Sequence, residues 1–256
     1  MPTARTESLP RIAILLVRAR NPSNIGAVAR AMHDFGLSRL RIVNEFTPPF
    51  EAASSAVDAS SVLADAVTFP TVADAVADCT LVIGTTAVGE RVIQHPIAPL
   101  AEAATSIRSH LAASPEARVV LLFGSEKTGL SNDELSHCHA LLTIPMFDHP
   151  GVRHPSMNLG QAVAVCLYEL VRNPPPNSAP TTLATPPSAA VLERLTTLLT
   201  ELLHQTEYTR HHPANSDVAQ MRRLILRMNL DPADAQVWLG ILRQTLWKLR
   251  QRGPES

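Results

Sequence analysis

Apolar residues fall in short unbroken runs over the first two thirds of the chain and at helical spacing over the last third. Arg11-Ile-Ala-Ile-Leu-Leu-Val17, Leu40-Arg-Ile-Val43, Leu81-Val-Ile-Gly-Thr-Thr86, Arg118-Val-Val-Leu-Leu-Phe123 and Ala140-Leu-Leu-Thr-Ile-Pro145 are such runs. Length, β-branching and the turn residues that stop them predict strands buried on both faces. Between them the spacing predicts helices from about Ile25 to Phe35, stopped by Gly36, from Thr71 to Asp78 and from Pro99 to Ala112. Ser131 and Glu134 form a capping box for a short helix through Leu135. Glu51 to Ala66 is weakly helical, and Val67-Thr-Phe69 is a candidate short strand. Strand and helix alternate about six times, which predicts an α/β fold: a mostly parallel sheet flanked by helices.

Ser156 to Val171 reads as a helix apolar on nearly every side, with only Asn158, Gln161 and Glu169 strongly polar. Such a helix must be covered all round, by the sheet on one face and by a second subunit or domain on the other. Residues 173–188 hold six prolines in sixteen positions and predict an extended linker. Beyond it, Val191, Leu192, Leu195, Leu198, Leu199, Leu202 and Leu203 repeat at helical spacing. Helices follow at about Asp217 to Met228 and Pro232 to Arg250, the last with Asp231 as N-cap and Pro232 at its first position. The organisation is a polar flexible tail (1–10), an α/β domain (11–172), a Pro-rich linker (173–188) and a small α-helical appendage (189–256).

Composition narrows the function. The chain has 256 residues, 45% hydrophobic, and no apolar run long enough for a membrane span. The polar N-terminus lacks the apolar stretch of a signal peptide, so a cytoplasmic location is expected. Cys79, Cys138 and Cys166 are three and scattered, which argues against a disulfide framework. The formal net charge is −1, but Met221 to Gly253 carries seven basic residues against Asp231 and Asp234. That is either a solvated helix face or a patch for an anionic partner.

Ligands of parallel sheets bind beyond the carboxyl ends of the strands. Here those ends are Asn24 to Arg30, Thr85 to Arg91, Gly124 to Gly129 and Pro145 to Ser156, the polar and Gly-containing turns. Met146 to Pro155, with two histidines, an arginine and an aspartate among prolines and a glycine, reads as a binding loop. Asn24 is an N-cap or a site residue. Arg30 stands among Val28, Ala29, Ala31 and Met32, so a partner is expected for it, such as an RNA phosphate. Glu126 either finishes a turn or bonds within a site, and Ser156 and Asn158 either cap a helix or do more. Gly124 to Gly129 is not a Walker loop, because Leu130 stands where the lysine belongs, and no Gly-x-Gly-x-x-Gly follows a strand. His137-Cys138-His139 lacks a second ligand pair, so no metal is expected.

Three of these stretches carry a resemblance. Asn24-Ile-Gly-Ala-Val-Ala-Arg30, Phe123-Gly-Ser-Glu-Lys-Thr-Gly-Leu-Ser-Asn-Asp-Glu-Leu135 with Ile144-Pro145, and Ser156-Met-Asn-Leu-Gly-Gln-Ala-Val163 resemble, in order, the three motifs of the SPOUT-class RNA 2′-O-ribose methyltransferases of the TrmH family. The C-terminal helices, with His212-Pro213 and Met221 to Arg227, are similar to the branch that modifies the tRNA anticodon loop. The resemblance implies a C-terminal trefoil knot in the α/β domain, a homodimer with sites near its interface, S-adenosyl-L-methionine as cofactor, and structured RNA, above all tRNA, as substrate. It implies Arg30, Asn24, Glu126, Ser156 and Asn158 as catalytic residues, and Thr85, Thr86, Ala87, Gly124, Ile144, Ser156 and Met157 as the cofactor's lining. The appendage (189–256) is expected to be RNA-binding, and RNA contacts are expected from Arg18, Arg20, Arg91, Arg153, Arg222, Arg223 and Arg227. The alternatives are rRNA as substrate, an inactive RNA-binding module of this fold, and an α/β enzyme acting on a small nucleotide. The sequence departs from the pattern at Ser125 and Val88, where arginine is usual, Arg91 standing close enough to substitute for the latter. The loop from Pro145 to Pro155 is also about four residues longer than the pattern.

Overall fold

The structure is a computed structural model and describes residues 9–44, 60–87, 95–147, 156–172 and 186–251. Val88, Arg91, His149, Arg153, His154, Glu51 to Ala59 and most of the Pro-rich linker lie outside the described residues. Seven strands, β1 (Ile12–Val17), β2 (Arg39–Val43), β3 (Val67–Phe69), β4 (Leu81–Thr85), β5 (Ile97–Pro99), β6 (Val119–Phe123) and β7 (Ala140–Thr143), form one sheet in the order β3-β2-β1-β6-β4-β7-β5. Every pairing is parallel. β1 and β6 lie at the centre and every residue of both is buried, which is why their sequences are apolar without alternation.

The α/β part has six helices among the described residues: α1 (Pro22–Asp34), α2 (Ser60–Ala64), α3 (Val72–Val76), α4 (Leu100–Ala113), α5 (Asn132–Ser136) and α6 (Leu159–Val171). Ile12, Ile14 and Leu16 of β1 face the layer made by α1, α4 and α6, and Ala13, Leu15 and Val17 face α3 and α5. The capping box is present in full, with Ser131 accepting from the Glu134 N–H and the Glu134 carboxylate accepting from the Ser131 N–H.

Several expected boundaries move. α1 begins at Pro22 and not at Ile25, with Asn21 and not Asn24 as its cap, because the Asn21 Oδ1 accepts from the Ser23 N–H at 2.9 Å. α6 begins at Leu159 with Asn158, not Ser156, as its cap, because the Asn158 Oδ1 accepts from the N–H groups of Gly160 at 3.0 Å and Gln161 at 3.4 Å. Pro99 ends the edge strand β5 instead of opening a helix, and α4 starts one residue later. α6 buries Val163, Cys166, Leu167 and Leu170 and leaves Gln161, Val165 and Tyr168 exposed, so within one chain it is covered on one side only.

The appendage comprises α7 (Ala189–Gln205), α8 (Tyr208–His211), α9 (Val218–Arg227) and α10 (Pro232–Gln251). Leu192, Leu195, Leu198, Ile225, Leu239, Leu242 and Leu246 make its own core. Asp231 caps α10 through the Asp234 N–H at 2.8 Å. The appendage is also fastened to the sheet domain. The N–H groups of Ala189 and Ala190 bond to the carbonyls of Cys79 and Ala77, and Arg222 binds Glu193 and the Ser136 hydroxyl from a buried position.

Candidate active site

The carboxyl ends of β1, β4, β6 and β7 are neighbours in the sheet, and the segments leaving them surround a cleft of about 810 Å³. Thr85, Thr86, Ala87, Gly124, Ile144, Ser156 and Met157, the residues expected around a cofactor, all line it, as do Asn24, Glu126 and Asn158. The volume lies in the range of ordinary cofactor clefts. Charge-bearing and apolar residues divide its wall. Glu126 and Lys127 stand on the turn after β6, while Leu130, Leu135, Leu142, Ile144 and Leu159 supply the apolar side. Leu130, Leu135, Leu142 and Leu159 could not be assigned from sequence as site residues, because each is also an ordinary core position in its element.

Three polar residues 102 and 134 positions apart are joined in series. The Asn24 Nδ2 donates to the Glu126 Oε1 at 3.0 Å, and the Asn158 Nδ2 donates to the Asn24 Oδ1 at 2.9 Å. The direction of this chain is fixed at both ends. At one end the Asn158 Oδ1 must face the α6 N–H groups, so its NH₂ points outward to Asn24. At the other end an ionised carboxylate only accepts. Burial works to raise the Glu126 pKa, but hydrogen bonds from Asn24 and from the N–H groups of Glu126 itself, Asn21 and Arg20 outweigh it and hold the carboxyl below its ordinary value. Glu126 is therefore charged at neutral pH, and both asparagine amides take one orientation.

Gly124 shows how tightly the turn is drawn. A Cβ there would stand 2.1 Å from the Gly129 carbonyl carbon and 2.2 Å from the Leu130 nitrogen, so no side chain fits. Gly129 takes φ +65°, which favours glycine, and Ser125 closes the turn by bonding the Thr128 hydroxyl at 2.8 Å. Arg18 braces it from outside. Its Nε and Nη2 reach the two oxygens of Glu134 at 2.6 and 2.9 Å, and its Nη2 also donates to the Gly129 carbonyl at 3.0 Å.

Several of the expected basic residues need correction or placement. Arg18 was expected on RNA, but its guanidinium is engaged by Glu134, a carboxylate 116 residues away that charge counting cannot see. Arg222 was likewise expected on RNA and is 9% exposed, held by Glu193 and Ser136 at the junction with the appendage. Arg223 is half-buried against His95, whereas Arg20 and Arg227 are exposed. Arg30 is exposed on α1, one turn beyond Ala27, and is not among the residues lining the cleft. Its apolar sequence neighbours point elsewhere round the helix, so they impose no need for a partner within the chain.

His137, Cys138 and His139 are each tied to the fold. Cys138 is buried, with its thiol pushed well above the ordinary range by burial, and His139 Nδ1 accepts from the Val82 N–H at 3.1 Å. Among the described residues no cluster of His, Cys, Asp and Glu could hold a metal ion, and no helix is long and apolar enough to cross a membrane.

Comparison with known proteins adds independent evidence. The family model of the SpoU rRNA methylases matches residues 11–168. The tRNA (cytidine/uridine-2'-O-)-methyltransferase TrmJ of Cronobacter sakazakii is 32% identical over 241 residues, covering 91% of this chain and 95% of the relative. The tRNA (cytidine/uridine/adenosine-2'-O-)-methyltransferase TrmJ of Pseudomonas aeruginosa is 39% identical over 163 residues, 63% of this chain and 61% of the relative. Among solved structures, TrmJ from Z. mobilis ZM4 superposes with a TM-score of 0.76 at 32% identity, covering 91% of this chain and 97% of that one.

Proposed function

This chain belongs to the SpoU rRNA methylase family, and from that premise we propose that it transfers a methyl group from S-adenosyl-L-methionine to a ribose 2′-hydroxyl of tRNA. The observation that carries the proposal is the series Glu126–Asn24–Asn158 at the rim of a cleft built from four strand ends. The relatives named as tRNA 2′-O-methyltransferases support tRNA over rRNA.

The cleft fits the cofactor chemically. Leu130, Leu142, Ile144 and Met157 offer an apolar wall for a purine, the close turn at Gly124 presents backbone, and Ser156 and Thr86 supply hydroxyls for polar ends. Bound S-adenosyl-L-methionine supplies a methyl group on a sulfonium, an electrophile that needs no metal or second cofactor. Glu126 places a fixed negative charge on the side of the cleft where positive charge is to be held. Asn24, locked between Glu126 and Asn158, presents an amide of one orientation to the ribose, and the rigid series positions the hydroxyl for attack. Proton loss from that hydroxyl comes late and goes to solvent water, because among the described residues that line the cleft none is a strong base. The role of Arg30 is to clamp the phosphate beside the reacting ribose with its planar fork of donors.

We assign the exposed stripe Gln161, Val165 and Tyr168 of α6 to contact with a second copy of the chain. The homodimer and the trefoil knot implied by the family resemblance are part of this proposal, as is a cytoplasmic place of work, where tRNA is met. Arg20, Arg91, Arg153, Arg223 and Arg227 are retained for RNA contact, while Arg18 and Arg222 serve the fold.

The test is transfer of labelled methyl to bulk tRNA by the purified chain, with the product nucleoside identified. Arg30→Ala should abolish transfer while S-adenosyl-L-methionine still binds. RNA binding without transfer to any RNA would leave an inactive module of the same fold and overturn the proposal.

A further inference from the structure

The last helix presents three distinct faces. α10 is 20 residues long, about 30 Å. It buries one narrow stripe, Ala235, Leu239, Leu242 and Leu246, against α7. A second side carries Val237, Trp238 and Ile241, with Asp234 and Lys248 at its two ends. The third side, at the opposite edge of the buried stripe, carries Gln236, Arg243, Gln244, Trp247 and Gln251. Arg250 lies alongside, paired with Glu201 of α7. No carboxylate of α10 lies on that third side. Trp247 is 50% exposed there, and Arg243 is exposed with no ion pair among the described residues.

An exposed indole set among guanidinium and carboxamide groups is poorly suited to another apolar surface, which would leave those polar groups dry and unpaired. It is well suited to nucleobases, which offer a flat π-face to stack and polar edges that glutamine can both donate to and accept from. Arg243 precedes Trp247 by one turn, roughly 6 Å along the axis. A base on the indole would thus leave its phosphate within reach of a guanidinium. Arg243 supplies the matching charge, with no carboxylate of α10 on this side and Glu201 of α7 taken up by Arg250.

We propose that the Arg243–Trp247 face of α10 binds an unpaired stretch of RNA, with one base stacked on Trp247 and the adjoining phosphate on Arg243. The site rests on the reading of the chain as an enzyme of RNA, and it assigns the appendage to single-stranded segments of the substrate. A duplex, whose bases are stacked on one another, is not its ligand.

The chain contains two tryptophans, Trp238 and Trp247, both on this helix, so each can be made the sole reporter in the full-length protein. In the Trp238→Phe background, titration with oligouridylate should quench Trp247 emission, with an affinity that falls steeply with salt, while a blunt RNA duplex should leave emission unchanged. Trp247→Ala should weaken oligouridylate binding about tenfold or more. It should raise KM for tRNA with kcat preserved, and Trp247→Phe should recover part of the loss. Unquenched Trp247 at saturating oligouridylate overturns the proposal even if methyl transfer proceeds. Quenching of Trp238 alone in the Trp247→Phe protein, or an RNA-independent emission change with protein concentration, overturns it in favour of the Val237–Ile241 side or of self-association. Quenching of Trp247 with no methyl transfer to any RNA would instead sink the enzymatic reading and leave this site standing.

Discussion

Replacing Asn158 with aspartate separates the two tasks its side chain performs. As a cap, aspartate equals asparagine and gains about 0.3–1 kcal/mol from the positive end of the helix dipole. As a member of the polar series it fails, because it has no N–H to give. Its second oxygen would stand where the Nδ2 now lies, 2.9 Å from the Asn24 Oδ1. Asn24 can escape that contact only by turning its amide over, which sets the same oxygen against the Glu126 carboxylate instead of the Nδ2 that now donates at 3.0 Å. One acceptor-to-acceptor contact survives in either case. In a solvent-open rim the lost bond costs about 1 kcal/mol and the repulsion a similar amount, so after the cap's gain the net loss is about 1 kcal/mol. That is roughly 2–4 °C in Tm for a chain of this size.

The repulsion also fixes a pH signature. Facing Asn24 and Glu126, the introduced carboxyl would have its folded-state pKa raised above its unfolded value. It therefore favours the folded state below that unfolded value and loses the benefit as pH rises through the folded one. The deficit against the parent chain should be smallest near pH 4 and full at pH 7. Methyl transfer at neutral pH should fall at least tenfold, since 1.4 kcal/mol of misorientation suffices for that. Thermal melts across pH and labelled-methyl assays on tRNA measure both. Unimpaired transfer by the Asn158→Asp protein, or a stability deficit independent of pH, would contradict the view that the series has one direction and that transfer depends on it.

Other perturbations probe separate parts of the structure. Gly124→Ala places a Cβ 2.1 Å from the Gly129 backbone, so calorimetry should show cofactor binding lost while the helical appendage remains folded by circular dichroism. Arg222→Ala leaves Glu193 partly buried without its partner, a loss on the order of 2 kcal/mol after allowing for solvent at Glu193, and limited proteolysis should cut the linker region faster; unchanged cleavage would argue against the latch. Burial depresses the pKa of His95 and His139 to about 4, in each case assisted by a neighbouring basic group. Both groups bind protons more readily unfolded, so stability should be full above about pH 6.5 and decline as pH falls toward 4. Val165→Arg with Tyr168→Arg should give a monomer by light scattering where the parent chain gives the mass of the proposed dimer; a monomeric parent chain would refute the proposed dimer, and a dimeric variant would move the subunit contact off α6.

The architecture was legible because burial on two faces leaves an unmistakable mark. β1 and β6 are central, and their apolar runs carry no alternation to confuse with a helix. The turns at their ends are polar and line the cleft. β5 leaves little trace in the sequence, because a three-residue edge strand with Pro99 has almost no signal of its own and exists only through its pairing with β7. The basic residues mark the deeper boundary. Arg18, Arg20, Arg222 and Arg227 look alike in a charge count, yet two are exposed and two are held by carboxylates 116 and 29 residues away. Whether an arginine faces solvent depends on what the fold brings opposite it, and that is a property of pairs. The same holds for Glu134, whose spacing from Ser131 announced a cap but not that Arg18 would share its carboxylate. The one-directional series at the rim is likewise a property of three residues together. Its members could be named separately, but their orientation follows only once the first turn of α6 is seen to claim one end and Glu126 the other.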